Sequence, residues 1–255
     1  MSISQEHTIV TIDQFTKQAI PFAQIPGHSS ALDLLVDLAQ PNVRDDVLDV
    51  ACGPGLVACH FAIRVRSVTG IDMTPAMISE ALKRSNEQGI ENAKWQIGSA
   101  TSLPFGDSLF DLVVSRYAFH HLQNPLLGMK EMIRVCKPGG RVLVADVALP
   151  ADKVDAYDKL ELIRDPSHTH ALSRHEFAEL FQNEEFNQVA LSEYKVDIEL
   201  EEQINASFPM EGGAKKIREI VSGDLNANRL GINARKEGGK IYYSVPICVG
   251  VGIKQ

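Results

Sequence analysis

The 255-residue chain is 44% hydrophobic and 23% charged, the balance of an ordinary globular protein with a full core, which excludes collagen-like, disordered and disulfide-scaffold classes. The length fits one elaborated α/β domain better than two equal domains. A formal net charge of -8, from 25 Lys and Arg against 33 Asp and Glu, leaves no basic field to gather nucleic acid or an anionic membrane surface, so neither is expected as a partner.

The start of the chain, MSISQEHTIV, has neither a basic n-region nor an apolar h-region, and no apolar run approaches a membrane span, so a cytoplasmic protein is expected. Cys52, Cys59, Cys136 and Cys248 show no C-x-x-C spacing and read as reduced core thiols. The chain divides into an N-terminal helical cap at 1–45, a ligand-binding core at 46–150, and a lid with closing strands of the same domain at 151–255. From residue 46, short Val-, Ile- and Leu-rich runs alternate with helix-period segments, which predicts βαβ units on a parallel sheet. The predicted strands are Val47–Ala51, Val68–Asp72, Ala93–Gly98, Phe110–Ser115 and Arg141–Val147. Thr74 before Pro75, and Asn124 before Pro125, predict capped helix starts; Lys137-Pro138-Gly139-Gly140 predicts a turn into the fifth strand.

After Pro150 the pattern predicts a helix over Asp152–Arg164, then a capping box, Ser173-Arg174-His175-Glu176, opening a helix through Phe177, Leu180 and Phe181. Alternation returns from Val189 to Leu200. Residues 201–235 read as one or two helices interrupted by Pro209 and Gly212-Gly213, and Ile241–Ile253 is a last β-rich run. No crossover helix of the usual length separates the final two strands, so an antiparallel edge pairing is expected.

Gly53-Pro54-Gly55-Leu56-Val57-Ala58 is a G-x-G-x-x-A pattern between a strand and a helix, and Asp72 stands 17 residues beyond Gly55 at the end of the next strand. That arrangement predicts a nucleotide site: glycines admit the ligand to the helix start, and the second acid accepts bonds from ribose hydroxyls. Asp49, at the end of the first strand, repels a pyrophosphate and calls for a cation, while Pro54 removes a donor from any phosphate nest. S-adenosylmethionine, with adenosine at one end and a positively charged amino-acid group at the other, satisfies both carboxylates.

The motifs as a set resemble those of the class I S-adenosylmethionine-dependent methyltransferases. Asp49–Gly55 looks like the first motif, Gly70–Met77 the second, Gly98–Phe105 and Phe110–Val114 the third and fourth, and the segment after Lys137-Pro138-Gly139-Gly140 the fifth. Outside that core, Phe15–Ser30, Arg164–His168 and Ser173–Phe181 are similar to a small-molecule subgroup near the ubiquinone and menaquinone biosynthesis C-methyltransferases. The resemblance implies a doubly wound seven-stranded sheet of order 3-2-1-4-5-7-6, strand seven antiparallel, with a helical lid over its carboxyl edge. It also implies that Asp49 receives the methionine ammonium, directly or through water, that Gly53 and Gly55 make room, that Asp72 binds the ribose and that Met73 packs on adenine. Ser99 and Ala100 fall where the adenine amino edge is read, Ser99 departing from the usual Asp, and Arg116 falls where a backbone carbonyl meets the ammonium.

Methyl transfer from a sulfonium is an in-line displacement that needs alignment and exclusion of water, and a base only when the acceptor must lose a proton. His120 and His121, just past the fourth strand, are the candidate bases. Asp146, at the end of the fifth, faces the same crevice or caps its turn. Asp165, His168 and His170 lack the partners to close a metal site, and none is expected. Leu160, Ile163, Ile204, Phe208 and Met210 are expected in a lid over a small, apolar, uncharged, ring-containing acceptor. Two other functions share these signals: a protein that binds S-adenosylmethionine without methylating, as a cyclase would, and an NAD-dependent oxidoreductase.

Overall fold

The computed structural model describes residues 3–255. The chain opens with helix α1 (Ile3–Phe22), a 3-10 turn at Pro26–Ser29 and α2 (Leu32–Ala39). The alternating part follows as β1 (Asp46–Val50), α3 (Leu56–Ala62), β2 (Ser67–Asp72), α4 (Pro75–Glu87), β3 (Ala93–Ile97), β4 (Phe110–Arg116), α5 (Pro125–Val135) and β5 (Cys136–Leu149). The remainder is α6 (Ala151–Arg164), β6 (Leu172–Ser173), α7 (Arg174–Glu179), β7 (Phe186–Glu199), α8 (Leu200–Ser207), α9 (Gly213–Gly223), β8 (Arg235–Glu237) and β9 (Lys240–Lys254).

The helix starts follow local chemistry. Asn124 accepts the Leu127 N–H ahead of Pro125, and Ser173 and Glu176 exchange both bonds of a capping box. Thr74 departs from expectation: it stands at the N-cap but its side chain makes no cap bond, and its N–H donates to Asp72 instead. Pro209 and Gly212 separate α8 from α9, with Gly212 left-handed at φ 75°.

The main sheet runs β3-β2-β1-β4-β5-β9-β7. Pairing is parallel from β3 to β5, and β9 runs antiparallel to both β5 and β7, so the implied order and the reversed strand both hold. The strand count is larger, because β6 adds to β5 and β8 to β9 in a 9-stranded sheet. β8 is only Arg-Lys-Glu and folds back through Gly238 and Gly239, both at positive φ; three charged residues carry no apolar alternation, so the sequence did not signal it. Alternate residues feed opposite faces of the sheet. Val47, Leu112 and Leu143 pack with Phe61 of α3 and Leu160 of α6 in one core, and Leu48, Val113 and Val144 with Met132 of α5 and Phe177 of α7 in the other. Strand order reverses between β1 and β4, and the crevice beyond their carboxyl ends is where such sheets receive ligands. Among the described residues no helix is long and apolar enough to cross a membrane.

Candidate active site

The turn from β1 into α3 is a left-handed run: Ala51 has φ 55°, Gly53 φ 51° and Gly55 φ 77°. Glycine carries that conformation without strain, whereas alanine resists it. A Cβ on Gly55 would stand 2.7 Å from Trp95 Cη2, so the glycine lets the β3 indole close against the turn. At the end of β2, Asp72 braces the same turn, its carboxylate accepting the N–H groups of Gly53 at 2.9 Å and Thr74 at 2.8 Å.

A cleft of about 1340 Å³ opens above these residues. Gly53, Asp72, Met73, Ser99, Ala100 and Arg116 all line it. The Ser99 hydroxyl is engaged locally, lying 3.0 Å from Thr101 Oγ1 and accepting the Thr101 N–H at 3.2 Å. Two residues picked from the sequence stand elsewhere. Asp49 is 1% exposed and lies behind the turn, where it accepts the Ala58 N–H of α3 at 2.9 Å. A carboxylate at that depth is drawn to the free N–H groups and positive dipole end of the helix, so its side chain makes a helix-start bond and lies outside the lining of the cleft. Gly55 likewise faces Trp95 and Ala81 rather than the cleft.

Asp49 still shapes the cleft through charge. Burial, with the Asp72 charge adding to it, pushes its carboxyl up to about 8, and burial raises Asp72 as well. Two buried acids under this stress favour a ligand with a positive group beside a ribose diol, and disfavour a pyrophosphate. The residues present therefore fit S-adenosylmethionine.

Arg116 closes the cleft on its other side. Its guanidinium donates to the His28 carbonyl at 2.7 Å, the Ser30 carbonyl at 2.8 Å and the Tyr117 hydroxyl at 2.8 Å, tying the segment after α1 to the end of β4. Tyr117 itself is left-handed at φ 57°, a costly conformation for a bulky residue and one that sequence patterns do not reveal.

A second, smaller chamber adjoins the cleft, and Phe15, Phe22, Tyr117 and His121 line both. His120 lines only the second. His120 Nδ1 lies 2.6 Å from Asp146 Oδ1, so Nδ1–H donates to the carboxylate and Nε2 is left with its lone pair. Burial opposes charge on His120, yet the Asp146 carboxylate outweighs it and raises the imidazole above its ordinary value. His121 is the opposite case: burial and then the neighbouring His120 charge hold it well below that value, and it stays neutral with Nδ1 3.1 Å from the Ser167 carbonyl. Two adjacent histidines thus have different basicities, set by their surroundings.

The lid differs from expectation. Leu160 and Ile204 are buried in the core and Ile163 packs against it, while Phe208 and Met210 are 48% and 66% exposed. Helical period explains the change, since α6 presents Tyr157, Glu161 and Arg164 to the chamber and α8 presents Gln203 and Ser207. The Asp165 carboxylate makes no bond to the His168 or His170 imidazole; both rings pair with the Asp158 carboxylate instead, at 2.7 Å and 2.8 Å.

The sequence signalled a helical cap at 1–45, but neither the part of Phe22 in its wall nor the pairing of Asp146 with His120 was read from it. The second was traceable in principle: β4 and β5 are parallel neighbours with Arg116 opposite Ala145, which sets the segment after Arg116 beside Asp146.

Residues 48–144 match the family model described as a methyltransferase domain. An uncharacterized methyltransferase of Bacillus subtilis, YcgJ, is 36% identical over 152 residues, covering 59% of this chain and 60% of that protein. The ubiquinone/menaquinone biosynthesis C-methyltransferase UbiE of Ruegeria sp. is 35% identical over 129 residues, 49% of this chain and 52% of that one. The sequence matches to these curated relatives thus span about half to three fifths of their length. In three dimensions the crystal structure of YcgJ superposes with a TM-score of 0.79 at 28% identity, over 88% of this chain and 98% of the other. A putative methyltransferase of Bacillus halodurans gives 0.79 at 25% identity, over 88% and 99%. The resemblance read in the sequence and the fold both stand, and the comparisons favour neither the cyclase-like nor the oxidoreductase alternative.

Proposed function

We propose that this chain, which carries a methyltransferase domain on the class I fold, transfers the methyl group of S-adenosylmethionine to a small organic acceptor. The observation that carries the reading is the junction at Phe15, Phe22, Tyr117 and His121, where a ligand in the cleft meets a molecule in the chamber. In this reading Gly53, Asp72, Met73, Ser99, Ala100 and Arg116 surround the cofactor, Asp49 supplies charge from beneath, and Gly55 shapes the turn. Residues 46–150 serve as the cofactor-binding core, while 1–45 and 151–255 shape the acceptor side. The four cysteines are free and buried, which supports a reducing compartment such as the cytoplasm.

When bound, the sulfonium supplies an electrophilic methyl group, whose bond to sulfur breaks with the electron pair leaving on sulfur as the acceptor atom attacks. The protein's part is to align the two molecules and keep water out, which α1 does by roofing both spaces. Where the acceptor gives up a proton, His120 Nε2 takes it, with Asp146 holding the ring and stabilising the imidazolium formed. His121, held neutral, walls the junction without adding a competing positive charge near the sulfonium. The apolar strand residues Val147, Val196, Val245 and Ile247 form one wall of the chamber, which supports a small uncharged ring as acceptor.

The test is incubation with methyl-labelled S-adenosylmethionine and a panel of small acceptors, following S-adenosylhomocysteine and label together. Label in an acceptor with an equal amount of S-adenosylhomocysteine supports the reading. Tight cofactor binding without turnover across the panel points to a non-methylating protein. For the oxidoreductase alternative, a ligand at a hundred times its Kd stabilises the fold by about 2.7 kcal/mol, so stabilisation by NADH and none by S-adenosylhomocysteine would reverse the assignment.

A further inference from the structure

Tyr117 holds a left-handed backbone, φ 57°, where β4 gives way to the 3-10 turn that carries His120 and His121. A bulky residue keeps that conformation only where its surroundings over-determine it, and such outliers gather at sites of function. The Tyr117 N–H still donates to the Ala145 carbonyl at 2.8 Å, so the pairing of β4 with β5 runs on to this residue and strand geometry ends there.

What holds Tyr117 is a cluster of side chains around one guanidinium. Arg116 lies over the Tyr117 ring, 4.1 Å from its centroid, and its Nη2 donates to the Tyr117 hydroxyl at 2.8 Å. Nε of the same group donates to the hydroxyl of Tyr194 at 3.4 Å, and the two phenol oxygens stand 2.7 Å apart, one donating to the other. Burial lifts the Tyr117 phenol well above its ordinary value despite the Arg116 charge, so it stays protonated within the cluster. The guanidinium is itself fixed by the His28 and Ser30 carbonyls, and groups bonded in this way reinforce one another.

Tyr194 is half-buried on β7, opposite Ile247 of β9. It lines neither the cleft nor the chamber, whereas Tyr117 lines both. A side chain that touches neither ligand space but grips the strained residue between them acts through that residue.

Resting on the methyltransferase reading, we propose that Tyr194 is a positioning residue for methyl transfer. Its hydroxyl holds Tyr117 left-handed, which fixes the Tyr117 ring at the junction and the start of the turn bearing His120. Asp146 holds the same turn further on, at the Phe119 N–H, so the turn is fixed at both ends. Release of the Tyr117 end leaves the contacts from Gly53, Asp72 and Met73 in place, because these come from other elements, and spoils the alignment of acceptor and methyl group. A displacement of about 1 Å in such a site costs on the order of 10²-fold in rate, and loss of one hydroxyl from the cluster is expected to cost about tenfold.

The test uses the full chain with Tyr194→Phe, Tyr117→Phe and the double variant, which remove hydroxyls and keep the rings. In a crystal structure of Tyr194→Phe with S-adenosylhomocysteine, Tyr117 is expected to lose its left-handed φ and its ring to leave the junction; Tyr117 unmoved at φ 57° would overturn the proposal. In single-turnover transfer of labelled methyl to the acceptor that the panel yields, each single variant is expected to be about tenfold slower. The affinity for S-adenosylhomocysteine should change less than about threefold, and the double variant should be no slower than Tyr117→Phe alone. Additive losses in the double variant, or a lowered Tm with the wild-type rate, would assign Tyr194 a structural role only and overturn the proposal. No transfer by the wild-type chain overturns the methyltransferase reading and the role in transfer with it, and a displaced Tyr117 in the variant structure distinguishes that failure from failure of the Tyr194 contact.

Discussion

Asp146 accepts three hydrogen bonds at once: from His120 Nδ1 at 2.6 Å, from the Phe119 N–H at 2.7 Å and from its neighbour Val147 N–H at 2.8 Å. One fully buried carboxylate thereby fixes both the imidazole tautomer and the backbone turn that carries it. If His120 is the base, His120→Ala lowers turnover of a hydroxyl acceptor on the order of 10²-fold while leaving cofactor affinity intact. Single-turnover rates and calorimetric affinities on the same preparation check this.

The same pair sets a pH dependence. His120 lies above the ordinary imidazole value through Asp146, and the base must be neutral to work, so turnover rises with pH through a midpoint above that of a free imidazole. Asp146→Asn removes the charge, lowers the midpoint and lowers the plateau. A profile unmoved by that substitution assigns the limb to another group.

Asp49 predicts proton release. Its carboxyl stands at about 8 in the folded protein because of burial and Asp72. A group raised in this way contributes stability that is fully present below its unfolded value and is lost as pH rises through about 8. A positively charged ligand group favours the ionised form, so binding of S-adenosylmethionine at neutral pH releases a proton. Titrations in buffers of different ionisation enthalpy measure that number directly. Asp49→Asn abolishes the release and, because the side chain is held at the start of α3, changes affinity less than Asp72→Ala does.

Strand, turn and helix around the cleft were legible because they are written locally. Gly53, Gly55 and Asp72 sit at fixed offsets from two strand ends, and the charge on Asp49 pointed to S-adenosylmethionine. The acceptor side was written across space. Gln203, Tyr157 and Tyr243 come to line one chamber only once α6, α8 and β9 are packed, and helical periodicity alone does not say which stripe of α6 faces it, so the pattern points to Leu160 rather than to Glu161 and Arg164. Tyr117 and Ala51 are strained by tertiary context, which no residue pattern records.

Gly55 predicts a stability effect separate from binding. Gly55→Ala meets Trp95 at 2.7 Å and the Ala81 side chain at 3.0 Å while holding φ 77°, a combination costing about 1–3 kcal/mol. Urea denaturation followed by the fluorescence of Trp95 reports it, with a lowered midpoint and an unchanged slope.

The buried Glu161–Arg164 pair predicts a larger loss. Arg164→Met leaves Glu161 buried without its cation, a change of about 3–5 kcal/mol, whereas the double variant with Glu161→Gln recovers part of it. The neighbouring Asp165 is held at about 2 against the pull of burial by the Arg164 charge and by hydrogen bonds from the Ser167 and Gln18 side chains. Its stabilising contribution is complete above the ordinary carboxylate value and is lost as pH falls through about 2. Acid unfolding of the Asp165→Asn variant should accordingly be shallower over that window.

A crystal structure with S-adenosylhomocysteine tests the central claim most directly. The ribose hydroxyls are expected on Asp72, adenine between Met73 and the Ser99–Ala100 segment, and the sulfur at the junction lined by Phe15, Tyr117 and His121, facing the chamber that holds His120. A ligand whose ribose lies away from Asp72, or whose sulfur points to solvent with the chamber closed behind it, would contradict methyl transfer at this site.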